Sequence, residues 1–579
     1  MRFAIALVTL LLAGVLVATG VAQRTVLKPA DHVSVSADVP SGVHYVLVPG
    51  AVLQSHEGQQ QLRLGGADVA FAAYGRTSDV TAWLSGQRYA ELRVDEKGAM
   101  LPPVVRTAQV VAGLRGGTPD PDGADLWIDQ KRASGPLDWK VRLPASMSVL
   151  VASTGAAAAP SDLRLTWPTR TATPLAVPLI IAGGALAVVG LLLYLWALIH
   201  VRRQRGPRRK PPGKMPRRPQ PPKYRPQRPA SAAPAPGRGR RSVHRRIALG
   251  GTGAVAVLAG ALLAPAAGPA VAATKAPLAS VTEAQATTIV HRVAEVAAAA
   301  DGDLDAKRLA DRFTGPALQL RKAAYRIKAK DKKAALPLAI PVKATTMRLI
   351  LPEATTGWPR HLFAVVEQKD AKKPTPVALA LVQDDPRADY RVEYAMGLIG
   401  GVKLPDLPSA LDGSSRLAAT TPVLAVEPGA LAADYGSVLR DDQADAAKEF
   451  RTAGDPLVKN VGEAAKKRIA KKLGTTAGIT FKDLKADPAV ESVLALSTAD
   501  AGALVAVQLD EQWTVKPKRS GVTVKPSGGT RILSKTDSTG KGITSVYGYQ
   551  LLFAVPSAGS GQPVVLLGYD QGLVSAKEL

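Results

Sequence analysis

The chain has no cysteine among its 579 residues. This absence excludes disulfide bonds, thiol nucleophiles, Cys-ligated zinc and lipid attachment through a cysteine. Aromatic residues make up 4% of the chain, so few rings are available to stack on sugars or bases. No Gly-x-Ser-x-Gly, P-loop or dinucleotide fingerprint is present. The histidines are scattered, and none pairs at the metal-binding spacing His-x-x-x-His: His32, His44, His56, His200, His244, His291 and His361.

Three long apolar runs are present instead, at 3–22, 175–199 and 247–273. Their length predicts three transmembrane helices, placed at 1–22, 174–200 and 247–273. None of the three runs contains Asp, Glu, Lys, Arg or His. Transport pathways need ionisable or polar groups within the membrane, so we interpret these helices as anchors.

A very basic loop separates the second and third runs, from Arg202 to Arg246. It holds 17 Lys or Arg, 11 Pro and no Asp or Glu, so it carries +17 of the net charge of +27. A short loop with this charge stays in the cytoplasm. The composition predicts a disordered linker at 201–246, and its cations fit anionic lipid headgroups as partners. Nucleic acid is a disfavoured partner because the other 534 residues carry only +10.

This arrangement predicts a multi-pass protein of the bacterial plasma membrane. The N-terminus is expected in the cytoplasm, and residues 23–173 and 274–579 on the outer face. The first run ends in Gly20-Val21-Ala22, so it is either a signal anchor or a cleaved signal peptide. The third run ends in Ala-Val-Ala-Ala at 270–273, which leaves the same two alternatives. Ala256, Gly260 and Ala264 form a small-xxx-small line that favours helix pairing.

Residues 23–173 have the pattern of an all-β domain. Strands are predicted at 32–39 and 43–48, and Trp139, Val141 and Leu143 alternate with charged residues. Turn residues interrupt the pattern at short intervals. A β-sandwich is therefore expected.

Residues 274–579 change to a mixed pattern. Ser280 and Glu283 predict a capping box that opens a helix, and further helices are expected near 303–313 and 316–330. Strands are predicted to follow at 345–351, 362–368, 377–382 and 390–396.

The mixed pattern is repeated in a second half. Leu-Phe-Ala-Val occurs at 362–365 and again at 552–555, and Phe313 with its following Gly-Pro is echoed by Phe450. We therefore expect two α+β domains, at 274–403 and 426–579, each of typical domain size. Residues 404–425, rich in Pro, Ser, Ala and Thr, are the expected connector.

Helices followed by a curved antiparallel sheet resemble the NTF2-like (cystatin-like cone) fold. Tandem copies behind a membrane span resemble extracytoplasmic domains of conjugation and lipid-transport accessory proteins. The whole arrangement also resembles a family of uncharacterised actinobacterial multi-span membrane proteins, some of them labelled glycosyltransferases. The resemblance implies a cone that holds an apolar ligand, or a sheet that docks a partner. It brings no catalytic, cofactor-binding or metal-binding residue, and a fold alone does not imply a function.

Three clusters of acidic residues are candidate sites: Asp120, Asp122 and Asp125; Asp301 and Asp303; and Asp441, Asp442 and Asp445. Asp120, Asp122 and Asp125 suggest Ca²⁺ ligands, but they depart from the EF-hand spacing and also fit a turn before a strand. Asp301 and Asp303 match the loose acidic pair of glycosyltransferases, as do Asp120 and Asp122.

Plainer interpretations exist for the last two groups. Asp301 and Asp303 also fit a helix end followed by the N-cap of the next helix. Asp441, Asp442 and Asp445 fit carboxylates at a helix start, where they stabilise the helix dipole.

The expected function is a membrane-anchored envelope protein that displays non-enzymatic binding or scaffold domains, with an envelope protein or an apolar or lipid ligand as its partner. One alternative is an envelope enzyme acting on a glycan or a lipid-linked sugar. The other is an accessory component of a secretion or conjugation system. No cofactor is expected.

Overall fold

The structure is a computed structural model of the chain. It describes residues 2–27, 30–110, 114, 117–155, 157–169, 175–204, 280–343, 346–352, 355–368, 375–406, 408, 413–484 and 493–579. The predicted third span and nearly all of the basic loop lie outside these residues. The chain divides into two compact units, one of Met1–Lys28 with Ala172–Lys275 and one of Pro29–Thr171 with Ala276–Leu579.

The described helices are α1 (Arg2–Arg24), α2 (Gly50–Leu53), α3 (Thr77–Trp83), α4 (Ala176–Gln204), α5 (Glu283–Asp303), α6 (Ala306–Ala310), α7 (Gly315–Lys330), α8 (Leu431–Arg440), α9 (Pro456–Val461), α10 (Glu463–Lys472) and α11 (Gly528–Ser534). The described strands are β1 (His32–Asp38), β2 (Tyr45–Val48), β3 (Gln60–Gly65), β4 (Val69–Arg76), β5 (Arg88–Val94), β6 (Met100–Thr107), β7 (Asp129–Ser134), β8 (Leu137–Val141), β9 (Met147–Ala152), β10 (Asp162–Pro168), β11 (Thr346–Ile350), β12 (Arg360–Glu367), β13 (Val377–Gln383), β14 (Arg391–Leu398), β15 (Arg416–Leu417), β16 (Ala477–Leu484), β17 (Val493–Ser497), β18 (Ala503–Pro517), β19 (Ile543–Val555) and β20 (Val565–Glu578).

The first unit contains a pair of apolar helices, α1 and α4. Each is long and apolar enough to cross a membrane. They pack antiparallel, because Gly20 near the end of α1 meets Ile180 near the start of α4, and Phe3 meets Tyr194 at the other end. Helices at the first two apolar runs are thus confirmed, and α4 continues past the predicted boundary into the basic residues.

Residues 30–169 are β-rich, as predicted. Four strands form one sheet in the order β1-β10-β3-β8, and six form a second in the order β6-β5-β2-β9-β4-β7. Side chains of both sheets share one apolar core, which includes Val46, Leu62, Val149 and Leu163. Alternation along β8 buries Leu137, Trp139 and Val141 in this core, as the predicted pattern requires.

Residues 280–579 share one ten-stranded sheet. Its order is β11-β12-β13-β14-β20-β19-β18-β17-β15, and β16 also pairs with β18. The two halves of the sequence meet where β14 pairs antiparallel with β20, at Gly397 with Tyr569 and Leu398 with Gly568. The predicted connector contributes β15, which pairs with β17. The two predicted domains are therefore joined by a continuous sheet.

The sheet curls into a half-barrel. A bridge between Pro352 and Ser414 brings its two edges together at one end. Its concave side holds one apolar cluster drawn from both halves, including Phe363, Met396 and Leu552. Helices α5 to α7 pack on the opposite side of the first half, and α8 and α9 on that of the second half.

One of the two sequence echoes marks equivalent positions. Phe313 bridges Val392 in parallel, and Phe450 bridges Val564 in parallel, each beside the strand nearest the join. The Leu-Phe-Ala-Val echo does not, since its copies lie in β12 and β19, which differ by one strand in their distance from the join. Buried strands repeat the same few apolar residues, so short echoes arise without equivalence.

Two predicted helix starts need correction. The capping box of α5 is formed by Thr282 and Gln285, because the Ser280 hydroxyl instead accepts the Thr355 backbone N–H at 2.9 Å. The N-cap of α6 is Asp305 rather than Asp303, since only the Asp305 carboxylate accepts the Lys307 and Arg308 N–H groups.

Candidate functional site

The Asp120, Asp122 and Asp125 carboxylates do not share a common site. Asp120 accepts the Asp122 N–H at 3.1 Å, and Asp122 pairs with Arg132. The Asp125 side chain is buried and pairs with Arg312. The turn before the strand is present, but its third carboxylate binds a distant part of the chain rather than a shared cation.

The Asp301 and Asp303 carboxylates also point to separate partners. Asp301 holds the buried Arg321 at 2.6 Å and accepts the Tyr325 hydroxyl at 2.6 Å. Burial, followed by this bond, raises the pKa of Tyr325 above its usual range. Asp303 pairs with the exposed Arg308 at 2.9 Å. Asp301 therefore has a structural role in joining α5 to α7.

Among the described residues, one acidic group brings three carboxylates close together: Asp441, Asp442 and Glu463, with oxygens within 4.8 Å of one another. Asp445 lies apart and pairs with Lys448 at 2.9 Å. The group follows the end of α8 and meets the first residue of α10. Lys467 lowers the pKa of Glu463, so the cluster already has a cation beside it.

The strongest polar assembly is the junction between residues 30–169 and 280–579. Its first centre is Asp125, whose side chain is fully buried. Its carboxylate pairs with Arg312, accepts Arg292 at 3.0 Å and accepts the Tyr390 N–H at 2.9 Å. Asp389 lies beside it, and burial, followed by Asp125, raises the pKa of Asp389.

The second centre of the junction is Asp79, on α3. Arg360 at the start of β12 donates to both carboxylate oxygens, at 2.7 and 3.1 Å, and Arg76 also donates to both, at 2.9 and 3.3 Å. Both arginines also donate to the Thr355 carbonyl oxygen. The Arg360 guanidinium stacks over Trp358 at 3.8 Å, and its side chain is 1% exposed.

Further hydrogen bonds join residues 30–169 to residues 280–579 near Asp79 and Asp125. Arg387 donates to the carbonyl oxygens of Trp83 and Ser85, and burial lowers the pKa of Arg387. The Gln285 amide donates to the Leu126 carbonyl at 3.0 Å. Beside Arg387 lies a cleft of about 610 Å³, lined mainly by charged side chains: Asp311, Asp384, Asp385, Asp389 and Arg391.

A second buried polar assembly lies between α8, α10 and the sheet of the second half. Lys466 pairs with Glu511 at 2.6 Å and donates to the Leu439 carbonyl at 3.1 Å. Glu511 also accepts the Trp513 indole N–H at 2.6 Å. Asp483 lies directly opposite Glu511 on the neighbouring strand and pairs with Arg440. Burial is the main cause that raises the pKa of Asp483.

This assembly borders a cavity of about 310 Å³, which we call the α8–α10 pocket. Its walls are Arg440, Glu463, Lys466, Lys467, Ala470 and Phe481. The volume is at the low end of small-molecule sites. Like charges placed directly opposite on a sheet are destabilising, and here Lys466 and Arg440 compensate Glu511 and Asp483.

Two further carboxylates lie on the concave side of the sheet. Burial raises the pKa of Asp570 to about 6, and it raises the pKa of Asp510 as well. The Gln508 amide donates to both oxygens of Asp510, at 2.9 and 3.0 Å.

Sequence reasoning missed most of these residues. Glu511 carried a signal, since it shares the strand face of the buried Val505, Val507 and Leu509. A charge on an apolar face of a strand predicts a buried partner. Asp79 and Arg360 carried none, because 281 residues separate them.

Comparison with known proteins places most of the second unit in one family. No curated protein and no solved structure matches the chain. A family model described as Domain of unknown function (DUF8094) matches residues 277–578, which is more than half of the chain. This match spans α5 to α11 and the whole ten-stranded sheet. The chain therefore belongs to the DUF8094 family.

Proposed function

We propose that the protein is an envelope protein anchored in the bacterial plasma membrane, with its β-rich unit displayed on the outer face as a binding or scaffold body. Helices α1 and α4 supply anchors of sufficient length and apolarity. Residues 30–169 and 280–579 belong to a single compact unit, so both segments are available to a partner on one body.

The observation that carries this proposal is the junction at Asp79 and Asp125. Two segments joined through buried Arg–Asp pairs must lie on the same side of a membrane, because such pairs cannot form across a bilayer. The chain between them must then cross the membrane an even number of times. Helix α4 supplies one crossing, and the apolar run at 247–273 is the natural second.

The basic loop sets the direction of these crossings. The loop lies between the two crossings, and its Lys and Arg residues keep it in the cytoplasm. The compact unit is then outside. Arg202 and Arg203, in the last turn of α4, begin the cationic stretch that we propose contacts anionic lipid headgroups.

Single cysteines test this topology, since the chain has none of its own. We would introduce Ser134→Cys, Ser520→Cys and Ser231→Cys one at a time and label intact cells with a membrane-impermeant maleimide. Labelling of Ser134→Cys and Ser520→Cys from outside, and of Ser231→Cys only after permeabilisation, is expected. Opposite accessibility of Ser134→Cys and Ser520→Cys would remove the basis of the proposal.

The proposal also covers the fold of each half of the family domain and the kind of partner that it binds. We propose that each half of 277–578 is an NTF2-like unit; the matching Phe313 and Phe450 bridges and the helices before each set of strands support this. An envelope protein is the proposed partner, and an apolar or lipid ligand is the alternative. Mass spectrometry of proteins and lipids that copurify with the full-length protein from solubilised membranes separates the two.

A specific observation favours a second candidate, an envelope enzyme acting on a glycan or a lipid-linked sugar. Asp483 and Glu511 are neighbouring carboxylates beside the α8–α10 pocket. Burial raises the pKa of Asp483, and a carboxyl with a raised pKa beside a pocket is a candidate for acid–base chemistry. If this candidate is correct, Asp483→Asn in the full-length protein lowers turnover of such a substrate at least ~100-fold. Unchanged turnover in this variant would exclude Asp483.

A further inference from the structure

The packing of α1 against α4 has a regular pattern of small residues. Among the described side chains of the two helices, each buried one belongs to Ala or Gly, and the buried positions recur every seven residues: Ala6, Ala13 and Gly20 in α1, and Ala176, Gly183, Gly190 and Ala197 in α4. We call these seven residues the seam. A seven-residue period keeps one stripe of each helix facing its partner along its whole length.

The seam glycines have no room for a side chain. A Cβ at Gly183 would lie 2.7 Å from a Val17 methyl carbon and 3.0 Å from the Ala13 carbonyl oxygen. A Cβ at Gly20 would lie 2.7 Å from Ile180 and 2.9 Å from the Ala176 carbonyl oxygen. The two backbones are therefore in close contact, as small residues permit between membrane helices.

The glycines outside the seam have no such constraint. Added Cβ atoms at Gly14 and Gly184 would meet nothing within 4 Å. The tight contacts therefore belong to the seam and do not follow from the general richness of the helices in Ala and Gly. The remaining faces carry exposed large apolar side chains, such as Leu11 and Ile181, which suit a lipid environment.

We propose that α1 is retained in the mature protein as the docked partner of α4, and is not removed as a signal peptide after Ala22. A cleaved signal peptide needs an apolar segment and a cleavage site, and neither requirement produces a stripe that matches a helix about 150 residues later in the chain. Removal of α1 would leave the seam of α4 without the helix that fills it. This inference rests on the proposed membrane anchoring of the two helices.

Intact mass spectrometry provides the first test. The full-length protein with a C-terminal tag is purified from bacterial membranes, and its mass is compared with chains that begin at the N-terminus or at Gln23. A mass that includes residues 2–22 is expected. A chain that begins at Gln23 would overturn the inference, while leaving the cysteine-labelling test of the proposed topology unaffected.

A second test examines the seam itself. A site-specific protease sequence is inserted after Lys28, the purified protein is cut in mild detergent, and the N-terminal fragment is followed through affinity purification of the tagged remainder. The fragment is expected to copurify at about one per chain with the unaltered helices and with Gly184→Leu. It is expected to be lost with Gly183→Leu.

Gly184→Leu is a matched control for Gly183→Leu, because the two glycines are adjacent in α4 and only Gly183 faces α1. If Gly183→Leu prevents accumulation, Gly183→Ala replaces it, since even one methyl group meets the Ala13 carbonyl. Release of the fragment from the unaltered protein, or equal retention in both leucine variants, would contradict the docking of α1 on α4.

Discussion

At the scale of single residues, the stability of the large unit depends on charged side chains that are buried and fully paired. Asp79 and Asp125 each bind two arginines, and neither carboxylate faces water. Removing one member of a buried pair costs more than the pair contributes, because the remaining charge loses its partner. These positions should therefore be more sensitive to substitution than the apolar residues around them.

Arg360→Met tests the junction at Asp79. The substitution nearly keeps the volume, but it removes two hydrogen bonds to the carboxylate, one to the Thr355 carbonyl oxygen and the stack on Trp358. Since Arg76 still pairs with Asp79, we expect a loss of about 3 kcal/mol in the free energy of unfolding, at the low end for a broken buried pair. Chemical denaturation of the purified protein measures it. Arg348→Met, at an exposed position on β11, is the matched control and should change stability by less than about 0.5 kcal/mol.

Asp570→Asn tests the half-buried carboxyl on the concave side of the sheet. Its pKa is about 6 in the folded protein and near its usual 3.8 when unfolded, so the folded state favours the protonated form. The ionised form therefore lowers stability, and this loss develops as pH rises from about 4 to 6. Above pH 6, Asp570→Asn should stabilise the protein by up to about 3 kcal/mol.

Melting temperatures of Asp570→Asn measured between pH 4 and pH 8 check this prediction. The gain should disappear at pH 4, where the wild-type carboxyl is already protonated in the folded state. Asp537→Asn, at an exposed site, should show no such dependence. An equal shift at pH 4 and pH 7 would show that ionisation of Asp570 is not the cause.

At the scale of elements, α5 illustrates how one side chain links a helix start to tertiary contacts. Gln285 completes the capping box with Thr282 and also donates to the Leu126 carbonyl of the β-rich region. The helix that begins the family domain is thus positioned by its own cap and by the junction together.

Substitutions at the start of α5 separate these two roles. Thr282→Ala removes the cap alone, so we expect a loss of about 1 kcal/mol. Gln285→Ala removes the cap partner and leaves the buried Leu126 carbonyl without its donor, so its loss should be larger. Thr287→Ala, on the same helix but away from the cap, is the control. Denaturation curves that rank Thr282→Ala above Gln285→Ala in cost would contradict this division.

At the scale of the whole molecule, the basic loop and the junction each constrain how the chain crosses the membrane in the proposed topology. In the proposed topology the loop stays in the cytoplasm, while the segments on either side of it meet to form the compact unit. Both are satisfied only if the chain returns across the membrane after the loop. The proposed topology therefore couples membrane insertion to folding of the compact unit.

Removing the charge of the loop tests that coupling. Replacing the Lys and Arg residues between 205 and 246 with Gln should weaken retention of the loop in the cytoplasm. We expect reduced outside labelling of Ser520→Cys and a lower yield of protein with an intact junction. The same number of Lys-to-Gln changes at exposed sites in 280–579 is the control. Unchanged labelling would show that the loop does not direct topology.

The amino-acid sequence by itself determined the features that depend on local pattern. Apolar length predicted α1 and α4, local patterning predicted β1, β2 and β8, and the helices and strands of 280–398 lie close to their predicted positions. These features follow from neighbours along the chain. The absence of cysteine likewise excludes disulfides and thiol chemistry on composition alone.

Only the tertiary structure decided which distant residues meet. Three contacts form across long stretches of sequence: Asp79 pairs with Arg360, β14 pairs with β20, and Lys466 pairs with Glu511. Local pattern can show that a charged residue such as Glu511 is buried, but it does not name the partner, which becomes visible only when the chain is folded. The seam of α1 and α4 combines both kinds of information. Its seven-residue period of small residues is present in the sequence, but only the structure shows that the two stripes contact each other.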